Sequence, residues 1–319
     1  MTIALLVSGC SPSVSPAPSG AQSASASPVP GGSGGCGTVT IAMNPWVGYE
    51  ADAAVVGYLL QHELGCTVVK RQFDDESSWQ LLGTRGVDVI LERWDHDDLA
   101  AKYITSDRVA QDAGPTGNEG VIGWFAPRFF VDANPDILKA KTDPSILNRF
   151  ADQFRTSQSE GKGQILDGEP AFATLDRAMI NGFGLDYEVV YSGSEQASYQ
   201  AIQTAIDNRT PILAYYVTPN WFSTKVDLVH IELPPYTPGC NTDPAKVACD
   251  YPVYHLSKVV SAKFATSGSP GYELIKRFTW TNADQDAVAA SIVDGHLSDD
   301  DAARKWLDAN PTIWRAWLP

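Results

Sequence analysis

No stretch of this 319-residue chain approaches the ~20 consecutive apolar residues needed to cross a bilayer. Charge is missing altogether from the first 49 residues, and Glu50 is the first charged side chain. Basic residues are in deficit, 23 against 38 acidic ones, so the formal net charge is −15. An acidic protein of this kind repels polyanions, which excludes nucleic acid as a partner. The chain has no H-E-x-x-H, no phosphate-binding P-loop and no C-x-x-C pair, so the usual zinc and nucleotide signatures are absent. No cofactor, metal ligand or catalytic residue is therefore expected. What remains is ordinary for a globular protein. The chain is 44% hydrophobic and 19% charged, and its length suits two domains or lobes around substantial cores.

The N-terminus reads as a targeting segment followed by a tether. Residues 1–7 are mostly apolar and lead into Ser8-Gly9-Cys10. This resembles a bacterial lipobox, in which cleavage before Cys10 frees a thiol for diacylglycerol. The basic n-region and a longer apolar stretch are missing, so residues 1–9 are expected to be a truncated signal peptide. Residues 10–36 are expected to be the lipidated cysteine and a flexible tether, because Ser, Pro, Ala and Gly without charge cannot bury a core. The tether contains Gly31-Gly32-Ser33-Gly34-Gly35, a literal match to a hydrolase nucleophile elbow. The match carries no meaning without a preceding strand and a following helix. Besides Cys10 there are four cysteines, Cys36, Cys66, Cys240 and Cys249, an even number suited to disulfides in an oxidising compartment. A staple between Cys240 and Cys249 across a polar loop would leave Cys36 for Cys66, but four cysteines permit three pairings.

Hydrophobic periodicity predicts strands over 38–43, 67–71 and 87–91. Helices are predicted over 50–64, stopped by Gly65, and from Ser78 to Leu82. The same alternation recurs as strands over 164–166, 187–191 and 211–216, a helix opened by Glu169-Pro170, and a helix over 198–208. Residues 271–317 read as largely helical. Repeated β-α units argue for parallel sheets covered by helices, hence an α/β fold of two lobes with a cleft between them. Ligands of such folds bind at the carboxyl ends of the strands, where Trp46 and Trp94 fall. The other tryptophans at 79, 280, 306, 314 and 317 are expected to be packing residues.

Several stretches in order resemble the substrate-binding proteins of ABC importers for glycine betaine, proline betaine and choline. These are Trp46 before its helix, Ile90-Leu91-Glu92-Arg93-Trp94, the run Thr218-Pro219-Asn220-Trp221-Phe222-Ser223-Thr224-Lys225-Val226-Asp227-Leu228, Phe278-Thr279-Trp280-Thr281, Asp294-Gly295, and Ala302-Ala303-Arg304-Lys305-Trp306-Leu307. The resemblance runs from about Thr38 to the end. It implies a two-lobe type II periplasmic-binding-protein fold whose lobes are joined by two crossing segments, with residues 37–123 and 235–319 in one lobe and 124–234 in the other. It implies an extracytoplasmic lipoprotein that captures a quaternary-ammonium solute and delivers it to permease and ATPase subunits, attached to the membrane by its lipid alone.

A trimethylammonium group offers no N–H donor, so aromatic faces recognise it, each worth ~0.5–2 kcal/mol. The resemblance assigns Trp94 to this cage and Tyr187 to a second wall. Val217 stands at a third wall and has no π face, so Trp46, Phe172, Tyr215, Tyr216 or Trp221 would fill the gap. The backbone amides of Val47 and Gly48 match positions that receive a ligand carboxylate, and Asn220 replaces a family histidine that adds to them. Glu92 and Asp95 flank Trp94. In the pocket they favour a net cation such as choline over a zwitterion; otherwise they face solvent. Two other functions share the sequence: a solute sensor that does not transport, and a metal-dependent enzyme using the turn Trp94-Asp95-His96-Asp97-Asp98.

Overall fold

The computed structural model describes residues 35–319, except Arg85, Asp95 and residues 170–173. The expected signal peptide, Cys10 and nearly all of the tether lie outside the described residues, as do Phe172 and Asp95. The first half runs β1 (Thr38–Met43), α1 (Val47–His62), β2 (Thr67–Gln72), α2 (Asp75–Thr84), β3 (Val89–Arg93) and α3 (Asp97–Ala100). A long strand, β4 (Ala110–Pro127), then leads to α4 (Arg128–Ala133), β5 (Gly163–Asp167), α5 (Asp176–Phe183), β6 (Tyr187–Tyr191), α6 (Glu195–Asp207), β7 (Ala214–Thr218) and β8 (Leu228–His230). The chain returns through β9 (Val253–Ser261) to five helices: α7 (Ala262–Ala265), α8 (Pro270–Arg277), α9 (Asn282–Val293), α10 (Asp299–Ala309) and α11 (Pro311–Trp314).

Among the described residues the strands form one sheet in the order β2-β1-β3-β9-β4-β7-β5-β6, with β8 added on β4. At one end β1 lies between β2 and β3, parallel to both. At the other end β5 lies between β6 and β7, also parallel to both. The antiparallel pair β4 and β9 joins the two parallel groups. The architecture is thus α/β with two lobes, and β4 and β9 are the two crossing segments.

Local chemistry explains most boundaries. β1 is rich in β-branched residues and buries Val39, Ile41, Ala42 and Met43. α1 ends where Gly65 adopts φ +66°, a conformation that favours glycine. It starts at Val47, three residues earlier than the periodicity predicts, and its N-cap Trp46 supplies no side-chain bond. Asp74 accepts the Ser77 amide at 2.8 Å and so starts α2 at Asp75. The helix expected at Glu169-Pro170 is observed from Asp176 onward. Two disulfides form, Cys36–Cys66 and Cys240–Cys249.

Two apolar cores flank the crossing strands. The first gathers β1, β3, α1 and the C-terminal helices, and takes in Trp79, Trp280, Trp306 and Trp317, with Trp314 packed against it. The second gathers Trp124, Phe130, Phe150, Phe154, Ile165, Tyr187 and Leu256. Each such aromatic contributes roughly 1.5–3 kcal/mol of burial. The first core also reaches Tyr199, Tyr216, Trp221 and Phe222, beyond the sequence segment assigned to its lobe.

Candidate functional site

The carboxyl ends of β1, β3, β6 and β7 bring together the residues that follow them: Trp46, Trp94, Glu195 and Asn220. Glu92, the penultimate residue of β3, organises one wall. Its side chain is 1% exposed, so it does not face solvent. Glu92 Oε1 accepts the indole N–H of Trp46 at 2.9 Å and also that of Trp94. Its other oxygen accepts Gln285 Nε2 at 2.6 Å, and the same amide nitrogen reaches the Gly48 carbonyl at 3.0 Å. Asp52, fully buried next to Glu92, has its carboxyl pushed well up by burial and then by Glu92. Both indoles are therefore tethered to one oxygen of Glu92, beside the buried Asp52.

Trp94 has partners on the crossing strands. Its ring meets Tyr254 of β9 edge-on, 6.1 Å between centroids. Gly120 of β4 pairs with Tyr254, and a Cβ there would overlap the Trp94 ring. Tyr215, on β7, makes an edge-on contact with Tyr251 at 6.3 Å, and Tyr254 and Glu195 are among the groups acting on its hydroxyl.

The facing wall is a polar relay. Val47 N–H, at the start of α1, donates to Glu195 Oε2 at 3.1 Å. Tyr199 OH donates to Glu195 Oε1 at 2.5 Å, and Asn220 Nδ2 donates to Tyr199 OH. Asn220 Oδ1 accepts the Phe222 amide at 3.0 Å. Burial raises the Glu195 carboxyl, offset by the Tyr199 and Val47 hydrogen bonds, with Glu92 and Glu50 raising it further. Beside this relay lies a groove of about 260 Å³ bounded by Asn44, Trp46, Val47, Glu50, Gln72 and Glu195. No Lys or Arg lines it among the described residues.

The structure thus brings together Trp46, Val47, Gly48, Trp94 and Asn220. Tyr187 sits elsewhere. It is 1% exposed, its hydroxyl donates to the Leu147 carbonyl at 2.8 Å, and its ring packs near Phe154 and over Gly163. It occupies a packing position in the second core. Tyr216 faces the first core, edge-on to Phe125 and Tyr199, with its hydroxyl 3.0 Å from Ser223 Oγ. Val217, between Tyr216 and Thr218 on β7, pairs with Ile122 and is half-buried. Sequence reasoning missed Glu195, Tyr254 and Gln285. Glu195 follows Ser192-Gly193-Ser194 at a strand carboxyl end, a position that could have flagged it. In the Trp94–Asp98 turn, His96 Nε2 lies 2.6 Å from Asp75 and Asp97 pairs with Arg93 at 2.9 Å. Among the described residues no group of three His, Cys, Asp or Glu side chains could hold a metal ion.

Two α/β lobes, two crossing strands and an aromatic cleft at strand ends define a two-lobed solute-binding protein. Residues 37–309 match the substrate-binding domain of ABC-type glycine betaine transport systems, and the chain belongs to that family. Members of this family bind substrates and are not enzymes. Among curated relatives, the trimethylamine N-oxide-binding protein of Pelagibacter ubique is 24% identical over 287 residues, 86% of this chain and 89% of its own. The solved fold of a choline-binding protein of an ABC transporter, in complex with choline, superposes with a TM-score of 0.70 at 17% identity, covering 88% of this chain and 91% of that one. Lactococcal OpuAC, closed on glycine betaine, gives 0.66 at 18% identity, covering 88% and 99%.

Proposed function

We propose that this protein is the extracytoplasmic solute-binding lipoprotein of an ABC importer. It captures a quaternary-ammonium solute between Trp46, Trp94 and the tyrosines beside them, and passes it to permease and ATPase subunits. The observation that carries the reading is the pair of indoles held on the single carboxyl of Glu92. That arrangement presents π faces backed by acidic groups, which suits a diffuse methylated cation and offers little to an inorganic anion. Enclosure between the lobes removes water and strengthens each contact. Names of relatives support the same chemistry, since glycine betaine, choline and trimethylamine N-oxide all carry N-methyl groups. The lipid anchor rests on Cys10 alone. Calorimetry with glycine betaine, proline betaine, choline and carnitine tests the ligand class. Binding of at least one without turnover is expected, and no binding of any overturns it. A Cys10→Ser chain that still fractionates with membranes would dispose of the anchor.

A further inference from the structure

We propose that Glu195 determines specificity: it fills the donor position at the start of α1, so the cleft selects quaternary amines that carry no carboxylate over betaines. This rests on the quaternary-ammonium reading above. A ligand carboxylate needs N–H donors or a positive charge, and the N-terminus of a long helix is the ready source of both. α1 is sixteen residues long and its first residue, Val47, points its amide into the cleft side of the fold. That amide already donates to Glu195 Oε2 at 3.1 Å.

The side-chain donor named beside the α1 amides, Asn220, is also engaged. Asn220 donates one amide hydrogen to Tyr199 OH and accepts Phe222 N–H with its oxygen, so both ends of the amide already have partners within the protein. Tyr199 in turn donates to Glu195 Oε1 at 2.5 Å. Glu195 is therefore held from both oxygens, by a helix terminus and by a buried tyrosine that stacks on Phe222 at 4.8 Å. An incoming carboxylate would have to displace this built-in one. It would also meet Glu50 in the same groove, with no Lys or Arg lining it among the described residues. A cation carrying a hydroxyl meets neither obstacle. It gains from the acidic groups, and its hydroxyl can donate to a carboxyl oxygen.

The test is calorimetry of the full chain with choline and with glycine betaine, for the wild type, Glu195→Ala and Glu195→Gln. The wild type is expected to bind choline about tenfold or more tighter than glycine betaine, the worth of one charge-assisted hydrogen bond. Glu195→Ala frees the Val47 amide and should shift that ratio by about tenfold or more toward glycine betaine. Glu195→Gln, which keeps the side-chain volume, should move it in the same direction by less. Melting curves identify a variant that has lost its fold, and the isosteric glutamine then decides. A wild type that binds glycine betaine as tightly as choline overturns the inference, as does a ratio unmoved in the folded variants. Equal weakening of both ligands makes Glu195 a closure contact and also overturns it. If neither ligand binds the wild type, the inference falls, and the quaternary-ammonium reading falls with it only when proline betaine and carnitine also fail to bind.

Discussion

Trp46 and Trp94, 48 positions apart in sequence, donate their indole N–H groups to the same oxygen, Oε1 of Glu92. One buried carboxyl thereby fixes the orientation of two potential cage walls. The remaining oxygen takes Gln285. Glu92→Gln replaces one acceptor oxygen by an NH₂ that faces a donor, either the indoles or Gln285. Loss of a satisfied buried acceptor costs about 1–3 kcal/mol. The expected outcome is a fall of several degrees in melting temperature and at least about tenfold weaker binding of a quaternary amine, since the indoles are no longer pinned. Calorimetry showing unchanged affinity would remove Glu92 from the site.

Gly120 tests the same wall from the other side. Its φ is not in the left-handed region, so alanine brings no backbone strain there, only a methyl group against the Trp94 ring. Gly120→Ala should push Trp94 off its contact with Tyr254 and weaken binding by about tenfold or more. Far-ultraviolet circular dichroism should be unchanged. A folded variant with full affinity would show that the ring position does not matter.

Both lobes and both parallel strand groups were legible, because β1 and β6 alternate and α1 is a sixteen-residue apolar segment stopped by Gly65, buried on nearly every side. The crossing strands were not. β4 carries Gly114, Pro115, Gly117, Gly120 and Gly123, residues that normally break a strand, and its register shifts twice against β9. Periodicity alone set the start of α1 at Glu50, because no local cap marks Val47 and its amide is met by Glu195, 148 positions away. Trp46 and Trp94 could be placed by the rule that ligands gather at strand carboxyl ends. Tyr187 followed from resemblance alone, at the first residue of a strand, where the surrounding fold makes it core.

That difference can be measured. Tyr187→Phe removes one buried hydrogen bond, leaving the Leu147 carbonyl without its partner. A loss of about 1 kcal/mol in urea unfolding is expected. Affinity for a quaternary amine should stay within about twofold, as for a distant, independent site. A large loss of affinity with unchanged stability would return Tyr187 to the cage.

Asp176 gives the stability a pH dependence of defined sign. It is fully buried, and burial, then Asp167, push its carboxyl up to about 7 against hydrogen bonds from Trp124 and Tyr251. Both donors reach Oδ1, at 2.9 and 2.8 Å, while Oδ2 has no partner. The acidic proton belongs on that second oxygen. An unfolded aspartate titrates near ~3.9, so the native state keeps a proton that the unfolded chain has already lost. The contribution is fully present below about 3.9 and is lost as pH rises to about 7. In Asp176→Asn the amide nitrogen takes the place of Oδ2 and the oxygen keeps both donors. Relative to the wild type, this variant should gain on the order of 2–4 kcal/mol in unfolding free energy between pH 4 and pH 8. Denaturant titrations at both values check it, and a difference that stays constant between them would mean that Asp176 is already ionised in the folded protein.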